Sequence, residues 1–324
     1  MLMNTFAALC AGFALNIIIG SPPGILNPEN SVPSFLMKIE RRLKDQYQES
    51  SEAHRMAGVV ILIVAILLFA GIPTALMLLI YQASPVLALA IDCYLSWASF
   101  SMMRTKNELS ALSRCLADGK TDKARVHLSK LTGLRCEDMN EDELIKRGVE
   151  CAADCCADNV GGVLFYTALF GGAGGIFYRT VSLLRRSYST RSSASDDFGT
   201  AAHKLWTVLD FVPAHIASVM AVLASSIYGL ETEDCFDVYK RDRKNLQAAV
   251  LAPCRCVIAS ALGITLTRKT VFKDGNIQFL TIGDDIEIST PEDVRYAAEI
   301  MFAAGFFMLL LFGALKLTFV LLMI

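Results

Sequence analysis

The sequence predicts an all-α fold, a polytopic bundle of membrane helices with a helical cytoplasmic insertion. The first observation is composition: of 324 residues, 54% are hydrophobic and 19% are charged, whereas soluble domains carry roughly 25% charged residues. The second is placement, because Asp92 is the only charged residue between Arg55 and Arg104, and Lys316 is the only one in residues 301–324. Apolar runs of more than about 18 residues can cross a bilayer as helices. These observations exclude an ordinary soluble enzyme, a disordered chain and a secreted disulfide scaffold.

The first third of the chain predicts three membrane helices. Residues 4–20 predict a retained first membrane helix, because neither a basic start nor a cleavage site marks them as a signal peptide. Residues 21–34 hold four prolines and predict an ordered turn region rather than helix. Residues 35–48 predict a basic amphipathic helix, which either lies on an anionic membrane surface or presents a solvated face. Residues 56–103 are long enough for two spans, with a break expected at 81–85.

The rest of the chain alternates polar and apolar segments. Residues 104–158 predict the polar cytoplasmic helical segment, and residues 104–147 alone carry ten Lys or Arg. The later segments are apolar residues 160–184, 205–230, 248–266 and 297–324, and a polar stretch with β character at 277–288. Together they predict one integral membrane domain over residues 1–324.

The distribution of basic residues predicts the orientation of a multi-pass protein in the cell membrane. Short loops rich in Lys and Arg stay in the cytoplasm, which places residues 21–55 and 104–147 there. Residues 179–204 carry five basic residues and favour the same side. A single crossing by residues 160–184 would put them on the other side, so we expect that segment to enter the membrane and return, as broken backbone can where protein surrounds it.

Net charge and cysteine content limit the partners of the chain. A net charge of −2 gives no support for nucleic-acid binding, which usually needs a strongly basic surface. The ten cysteines lack the regular spacing of a disulfide framework, and free thiols in a reducing compartment are the simplest interpretation. The alternative is a thiolate metal site built from Cys151, Cys155, Cys156, Cys254 and Cys256.

Three carboxylates recur at helical spacing at the end of the polar segment. Glu150, Asp154 and Asp158 are each four residues apart, which places them along one face of a helix. Like charges at this spacing repel unless a cation lies among them. A divalent metal held by Glu150 and Asp154, an amine substrate or an arginine would each supply that cation. The alternative is a solvated acidic surface, and Lys146 and Arg147 could also pair with it. We refer to these three residues as the acidic stripe.

Two further features lie in apolar segments. Residues 171–175 are rich in glycine but lack the Lys-Ser/Thr of a Walker motif, so close helix packing explains them better than phosphate binding. Asp210 and His215 interrupt an apolar run. Ionisable residues inside a span are candidates for function, whereas at a helix end near Trp206 they would be interfacial.

The order of these features resembles the CobD/CbiB family of membrane-bound adenosylcobinamide-phosphate synthases in cobalamin biosynthesis. Val149-Glu150, Ala153-Asp154 and Asp158 are similar to the family's Val-Glu, Ala-Glu-Asn and Asp-Gly positions. The other similar stretches are, in chain order, residues 19–22, 27–28, 39–43, 124–128, 133–135, 164–166, 171–178, 198–199, 213–214, 261–263 and 282–284. The resemblance covers nearly the whole chain.

The resemblance implies an ATP-dependent carboxylate–amine ligase with a corrinoid as substrate rather than cofactor. The reaction joins a corrinoid propionate carboxyl to aminopropanol or its phosphate, and activation of a carboxylate requires phosphate and usually Mg²⁺. Glu150, Asp154 and Asp158 would then be the catalytic residues, with Glu150 and Asp154 as metal ligands. The resemblance further implies substrate binding by Gly171, Gly172, Gly174, Tyr178, Asp210 and His215.

The chain departs from the family at polar positions. The family's Asn-Thr-Leu-Asp-Ser-Met is replaced by residues 182–187, with Arg185 in place of the Asp. Its Asp-Asp pair is replaced by Trp206-Thr207, the following Asn by Asp210, the Arg after Pro-Ala by His215, and Ser-Pro-Asn-Ala-Gly by residues 248–252. AmpE-like relatives have a stretch similar to residues 209–213. The alternative function is therefore a catalytically degenerate, AmpE-like binding or regulatory protein, and we expect the family's fold with weak or no synthase activity.

Overall fold

The computed structural model describes residues 2–24, 27–44, 51–189, 196–243, 250–271 and 277–323. Its helices are α1 (Leu2–Ile18), α2 (Pro28–Lys44), α3 (Ser51–Ile66), α4 (Ile72–Ala83), α5 (Pro85–Ser99), α6 (Met102–Ala117), α7 (Thr121–Thr132), α8 (Glu141–Cys155), α9 (Val163–Phe170), α10 (Gly172–Ser189), α11 (Asp196–Ile227), α12 (Cys235–Asp242), α13 (Ala252–Ala261) and α14 (Pro291–Met323). Two π-helical segments, Leu67–Gly71 and Cys156–Gly162, continue α3 and α8. The prediction of an all-α fold is confirmed; strands β1 (Leu266–Val271) and β2 (Ile277–Ile282) add one antiparallel hairpin.

The long apolar helices of the described chain match the predicted spans. Four helical stretches are long and apolar enough to cross a membrane: His54–Ala83, which joins α3 and α4, Pro85–Ala117, which takes in α5 and α6, Phe198–Ile227 in α11 and Pro291–Phe319 in α14. This pattern indicates a multi-pass membrane protein. The predicted break between the first two lies at Ser84, whose backbone is extended and whose hydroxyl accepts a hydrogen bond from the Leu87 amide at 3.4 Å. Helix α1 is apolar but shorter, so its crossing of the membrane remains a prediction.

Several boundaries differ from the sequence-based expectation. The proline-rich region predicted as a turn is partly helical, because α2 begins at Pro28 and contains Pro33. Proline is tolerated at the first helical position, where its missing N–H has no intrahelical acceptor. Asn27 assists the start by accepting a hydrogen bond from the Glu29 amide at 2.9 Å. Residues 45–48 of the predicted amphipathic helix and residues 248–249 lie outside the described part of the chain.

The chain forms two compact units. The first comprises Met1–Ser101, Gly162–Asp210 and Leu309–Ile324, and the second comprises Met102–Gly161 and Phe211–Met308. The expectation of one membrane domain over residues 1–324 remains a prediction. In the first unit α1 packs on α5, while α10 packs on α2, α5 and α9. Trp97 links the end of α5 to the turn after α1, because its indole N–H donates a hydrogen bond to the Gly20 carbonyl at 2.6 Å.

The second unit contains α6, α7, α8, α12 and α13. Helices α6, α7 and α8 pack on one another, and α13 packs on α8 and α12. Asn140 and Glu143 form a capping box that starts α8, since each side chain satisfies a backbone donor of the first turn. The first turn of α14 joins α6, because the Ser113 hydroxyl donates to the Pro291 carbonyl at 2.6 Å. These helices confirm the predicted helical character of residues 104–158 and position the acidic stripe.

Candidate functional site

The acidic stripe holds an arginine from a distant helix. Arg255 on α13 donates two parallel hydrogen bonds to Asp154, from Nε to Oδ1 at 2.5 Å and from Nη2 to Oδ2 at 2.6 Å. Its Nη1 lies 2.5 Å from Glu150 Oε1 as an ion pair, and Arg147 pairs with the other oxygen of Glu150. The structure thus places an arginine, one of the three predicted cation types, between Glu150 and Asp154.

Burial makes these contacts strong. The Arg255 side chain is 4% exposed, and this burial by itself favours the neutral form. Asp154 and Glu150 outweigh that effect and hold the pKa of Arg255 above its usual value, so the guanidinium remains charged. A bidentate arginine–carboxylate contact is both directional and charge-assisted. Arg255 is therefore a fixed part of the site.

Asp158 has a different setting from the other two residues of the acidic stripe. The α-helix assumed in the prediction ends at Cys155, and Asp158 lies in the π-helical segment Cys156–Gly162. A π-helical turn holds more residues than an α-helical turn. A spacing of four residues therefore no longer keeps Asp158 on the same helix face as Asp154. Asp158 is nonetheless buried, at 2% exposure. Its catalytic role remains a prediction.

The cysteines of this region are thiols. All ten cysteines of the chain are free, and the five named for a thiolate site are buried. Burial raises the pKa of Cys256 to about 12, so its thiol stays protonated at neutral pH. In the described ranges no group of three or more His, Cys, Asp or Glu side chains is arranged to hold a metal ion. Use as small apolar residues describes these cysteines best.

The glycine cluster forms a break between two packed helices. Gly171 separates α9 from α10 with a φ of +72°, a backbone conformation that glycine adopts without strain. A Cβ on Gly172 would lie 2.7 Å from the Ser96 amide nitrogen of α5, so only glycine allows this approach. The packing interpretation of Gly171 and Gly172 is confirmed, and Gly174 likewise abuts Tyr166 of α9. Substrate binding by these glycines remains a prediction.

Two charged side chains form hydrogen bonds with backbone groups at the helix ends on either side of Gly171. The Asp92 carboxylate of α5 accepts a hydrogen bond from the Gly172 amide at 2.7 Å, and the Lys316 ammonium of α14 donates to the Ala168 carbonyl at 2.6 Å. An anion at a helix N-terminus and a cation at a helix C-terminus both complement the helix dipole. Their isolation as lone charges in apolar segments was the sequence signal for these contacts.

Tyr178 and Asp210, two of the predicted substrate-binding residues, are joined in the first unit. The Tyr178 hydroxyl donates to Asp210 Oδ1 at 2.6 Å, and both residues are fully buried. Tyr166 stacks on Tyr178 with ring centroids 5.2 Å apart and donates to the Leu209 carbonyl at 3.0 Å. The next residue, Arg179, was not singled out from the sequence; it is buried, ion-paired with Glu29 and bonded to the Ser101 hydroxyl at 2.7 Å.

His215 and the substituted polar positions have other partners. His215 Nδ1 lies 2.7 Å from the Phe211 carbonyl and Nε2 lies 3.1 Å from the Tyr239 hydroxyl, in the second unit. In the first unit, the Arg185 guanidinium lies over the Trp206 ring at 3.7 Å, a cation–π contact. Trp206 is fully buried. Two of the positions at which the sequence departs from the resembled family therefore contact each other.

A second polar network in the second unit was not predicted. Asp242 at the end of α12 accepts two hydrogen bonds from Arg241 and one from the Gly283 amide at 3.0 Å. The hydrogen bonds from Arg241 are the main reason why the pKa of Asp242 lies below its usual value. Arg241 also pairs with Asp284 at 2.9 Å. This network ties α12 to residues 282–284, one of the stretches that carry the resemblance.

Comparisons with known proteins agree over most of the chain. The sequence profile described as "CobD/Cbib protein" matches residues 9–301. A "Cobalamin biosynthesis protein CobD" of Clostridium perfringens is 25% identical to this chain. The match covers 86% of this chain and 88% of the length of that relative. Proteins of the same description from Listeria monocytogenes and Clostridium tetani are 22% and 24% identical, over 95% and 92% of this chain and 97% and 94% of theirs. No solved structure gives a significant match.

Proposed function

Because the chain belongs to the CobD/CbiB family, we propose that it acts in cobalamin biosynthesis as a corrinoid-binding protein of the cell membrane. The observation that carries this proposal is the extent of the similarity, since relatives named for cobalamin biosynthesis match along 86–95% of the chain. Four helices suited to a membrane agree with it. The corrinoid is a substrate or ligand here, not a cofactor.

The first candidate reaction is the family's amide formation between adenosylcobyric acid and aminopropanol or its phosphate, with ATP as co-substrate. In this proposal the buried Tyr178–Asp210 pair, Gly171, Gly172 and Gly174 bind substrate in the first unit. Substrate binding by His215, in the second unit, rests on the family resemblance alone. Tyr178 holds Asp210 in one orientation through the 2.6 Å hydrogen bond. A positioned carboxylate of this kind can accept a hydrogen bond from an amide or amine of the substrate.

The donor set of the acidic stripe does not fit a resident Mg²⁺. Mg²⁺ needs carboxylate oxygens that are free to coordinate it and keeps several waters. Both Asp154 oxygens accept bonds from Arg255, and the two Glu150 oxygens face Arg255 and Arg147. We therefore assign no reaction step to a metal at Glu150 and Asp154. Their role in this proposal is to hold Arg255 in place.

The second candidate is a catalytically degenerate, AmpE-like binding or regulatory protein on the same scaffold. The Arg185–Trp206 contact favours it, because these residues stand where the resembled family has carboxylates. A guanidinium over an indole ring cannot replace a carboxylate as a metal ligand or base. Packing residues preserve a fold when volume and pattern are kept, whereas chemistry needs donors placed to within roughly 0.5 Å. Weak or absent synthase activity therefore remains our expectation.

One experiment separates the two candidates. Detergent-purified protein is incubated with adenosylcobyric acid, aminopropanol phosphate and Mg·ATP, and product is quantified by chromatography. In parallel, corrinoid binding is measured by equilibrium dialysis, and complementation of a synthase-null strain is scored. Exposed Asp122→Asn is the matched control for Asp210→Asn, which we expect to weaken corrinoid binding.

The possible results differ clearly. Turnover near 1 s⁻¹, the low end of the usual enzyme range of about 1–10³ s⁻¹, would support the synthase and refute degeneracy. Corrinoid binding without turnover or complementation would support the second candidate. Neither binding nor turnover would overturn the proposed role in cobalamin biosynthesis.

A further inference from the structure

Arg255 and its partners form a charge-balanced group in the second unit. Glu150 and Asp154 contribute two negative charges, and Arg255 and Arg147 contribute two positive charges. Arg255 reaches the acidic stripe from 101 residues further along the chain. Arg255 lies on α13, whereas the carboxylates lie four residues apart on α8. Only the tertiary structure brings Arg255 next to them.

We infer that Arg255 decides which cation the acidic stripe binds: while Arg255 is present the stripe excludes divalent metal ions, and without it Glu150 and Asp154 become a divalent-cation site. This inference concerns binding alone and holds whether or not the proposed function is correct. It makes Arg255 a specificity-determining residue that the sequence pattern of the carboxylates did not reveal.

The physical basis is competition for the same oxygens. A metal ion entering between Glu150 and Asp154 would have to displace a guanidinium that is almost fully buried and bonded twice to Asp154. Displacing it would leave an uncompensated buried charge, which is strongly unfavourable. The charges of Glu150 and Asp154 are already balanced by Arg255 and Arg147, so little electrostatic attraction for another cation remains between these two carboxylates. Removal of Arg255 reverses both conditions, because Glu150 and Asp154 lose the cation that contacts them both, whereas Arg147 still pairs with Glu150.

The test is direct Mn²⁺ binding to the full-length protein in detergent, followed by the electron paramagnetic resonance signal of free Mn²⁺. Mn²⁺ serves as the probe for hard divalent cations. The variants are Arg255→Met, which removes the charge at similar length, Arg255→Lys, which keeps a charge, and Arg255→Met/Asp154→Asn, which removes one carboxylate as well.

The expected result is a gain of binding in one variant. Arg255→Met takes up one Mn²⁺ per chain with an affinity higher than that of the wild type by about tenfold or more. The wild type and Arg255→Lys show no stoichiometric binding, and the double variant loses the gained site. Failure of Arg255→Met to gain binding, while it retains the native helical circular dichroism, would overturn the inference.

A second measurement applies if Arg255→Met does not fold. Mn²⁺ binding by the wild type is then compared with binding by Glu150→Gln and Asp154→Asn. The inference expects no stoichiometric Mn²⁺ in any of the three proteins. One Mn²⁺ per wild-type chain that disappears in both variants would overturn it and restore the stripe as a native metal site. Synthase turnover does not enter either measurement, so failure of the proposed function would be seen separately.

Discussion

Replacing Lys316 with methionine tests whether the two isolated charges of the first unit hold the glycine break together. Lys316 is 7% exposed and donates to the Ala168 carbonyl at the end of α9. Asp92 is 4% exposed and accepts from the Gly172 amide at the start of α10. The two charges also interact electrostatically. The contacts secure both ends of the helix break at Gly171.

The structure sets the expected size of the effect. Loss of a hydrogen bond to a charged group costs about 1.5–3 kcal/mol, and the Ala168 carbonyl keeps no replacement donor from methionine. Asp92 also loses its compensating cation, and removing one partner of a buried pair costs about 3–5 kcal/mol in full. The charges are not in direct contact in the described structure, so only part of that cost applies. We expect Lys316→Met to lower the free energy of unfolding by about 2–4 kcal/mol.

The assay is unfolding by sodium dodecyl sulfate in mixed micelles, followed by circular dichroism, as a double-mutant cycle. Asp92→Asn keeps an acceptor for the Gly172 amide but removes the charge. The double variant should be less destabilised than the sum of the single variants, by about 0.5–3 kcal/mol. Lys130→Met, on the exposed surface of α7, is the matched control and should change stability by less than about 0.5 kcal/mol. Additive effects, or a Lys316→Met variant as stable as the control, would refute the reasoning.

Three other predictions concern topology, pH and the buried tyrosine. A single cysteine at Asp122, in a cysteine-depleted background, should react with an impermeant thiol reagent only after cells are permeabilised; labelling in intact cells would contradict the cytoplasmic assignment. Asp242 has a lowered pKa, so it stabilises the folded state above the ordinary carboxyl pKa, and this contribution is lost as the pH falls through the lowered value. Asp242→Asn should therefore lose about 1–3 kcal/mol at pH 7 and show a flatter stability profile at acidic pH; an unchanged profile would argue against the network with Arg241. Tyr178→Phe removes the hydrogen bond to Asp210 and should cost about 1–3 kcal/mol, measured by the same detergent unfolding; a stability equal to wild type would show that the bond contributes nothing.

Local sequence properties were enough to predict the class of the molecule. Hydropathy along the chain located the membrane helices, because an apolar run of sufficient length is a property of consecutive residues. The break near Ser84–Pro85 followed from the same reasoning. The errors fell where two signals competed. The start of α2 at Pro28 was missed because proline both restricts the preceding residue and suits the first helical position.

The candidate site was predicted less completely. The spacing of four residues between Glu150 and Asp154 correctly indicated that a cation was needed, but it left a metal, an amine and an arginine as alternatives. The pairing of Tyr178 with Asp210, across 32 residues, was not visible in either segment. Asp92 and Lys316 were conspicuous as lone charges, yet their partners were backbone groups at Ala168 and Gly172.

The sequence by itself determined the membrane character, the position of most helices, the family resemblance and the presence of an acidic stripe. Only the tertiary structure decided that Arg255 lies in that stripe, and that Asp92 and Lys316 secure the two helix ends at Gly171. The physical reason lies in the range of the interactions. Helix formation and hydropathy depend on neighbours within a few turns, whereas the partner of a buried charge is chosen by the packing of helices far apart in the chain, where an unpaired charge is too costly to leave.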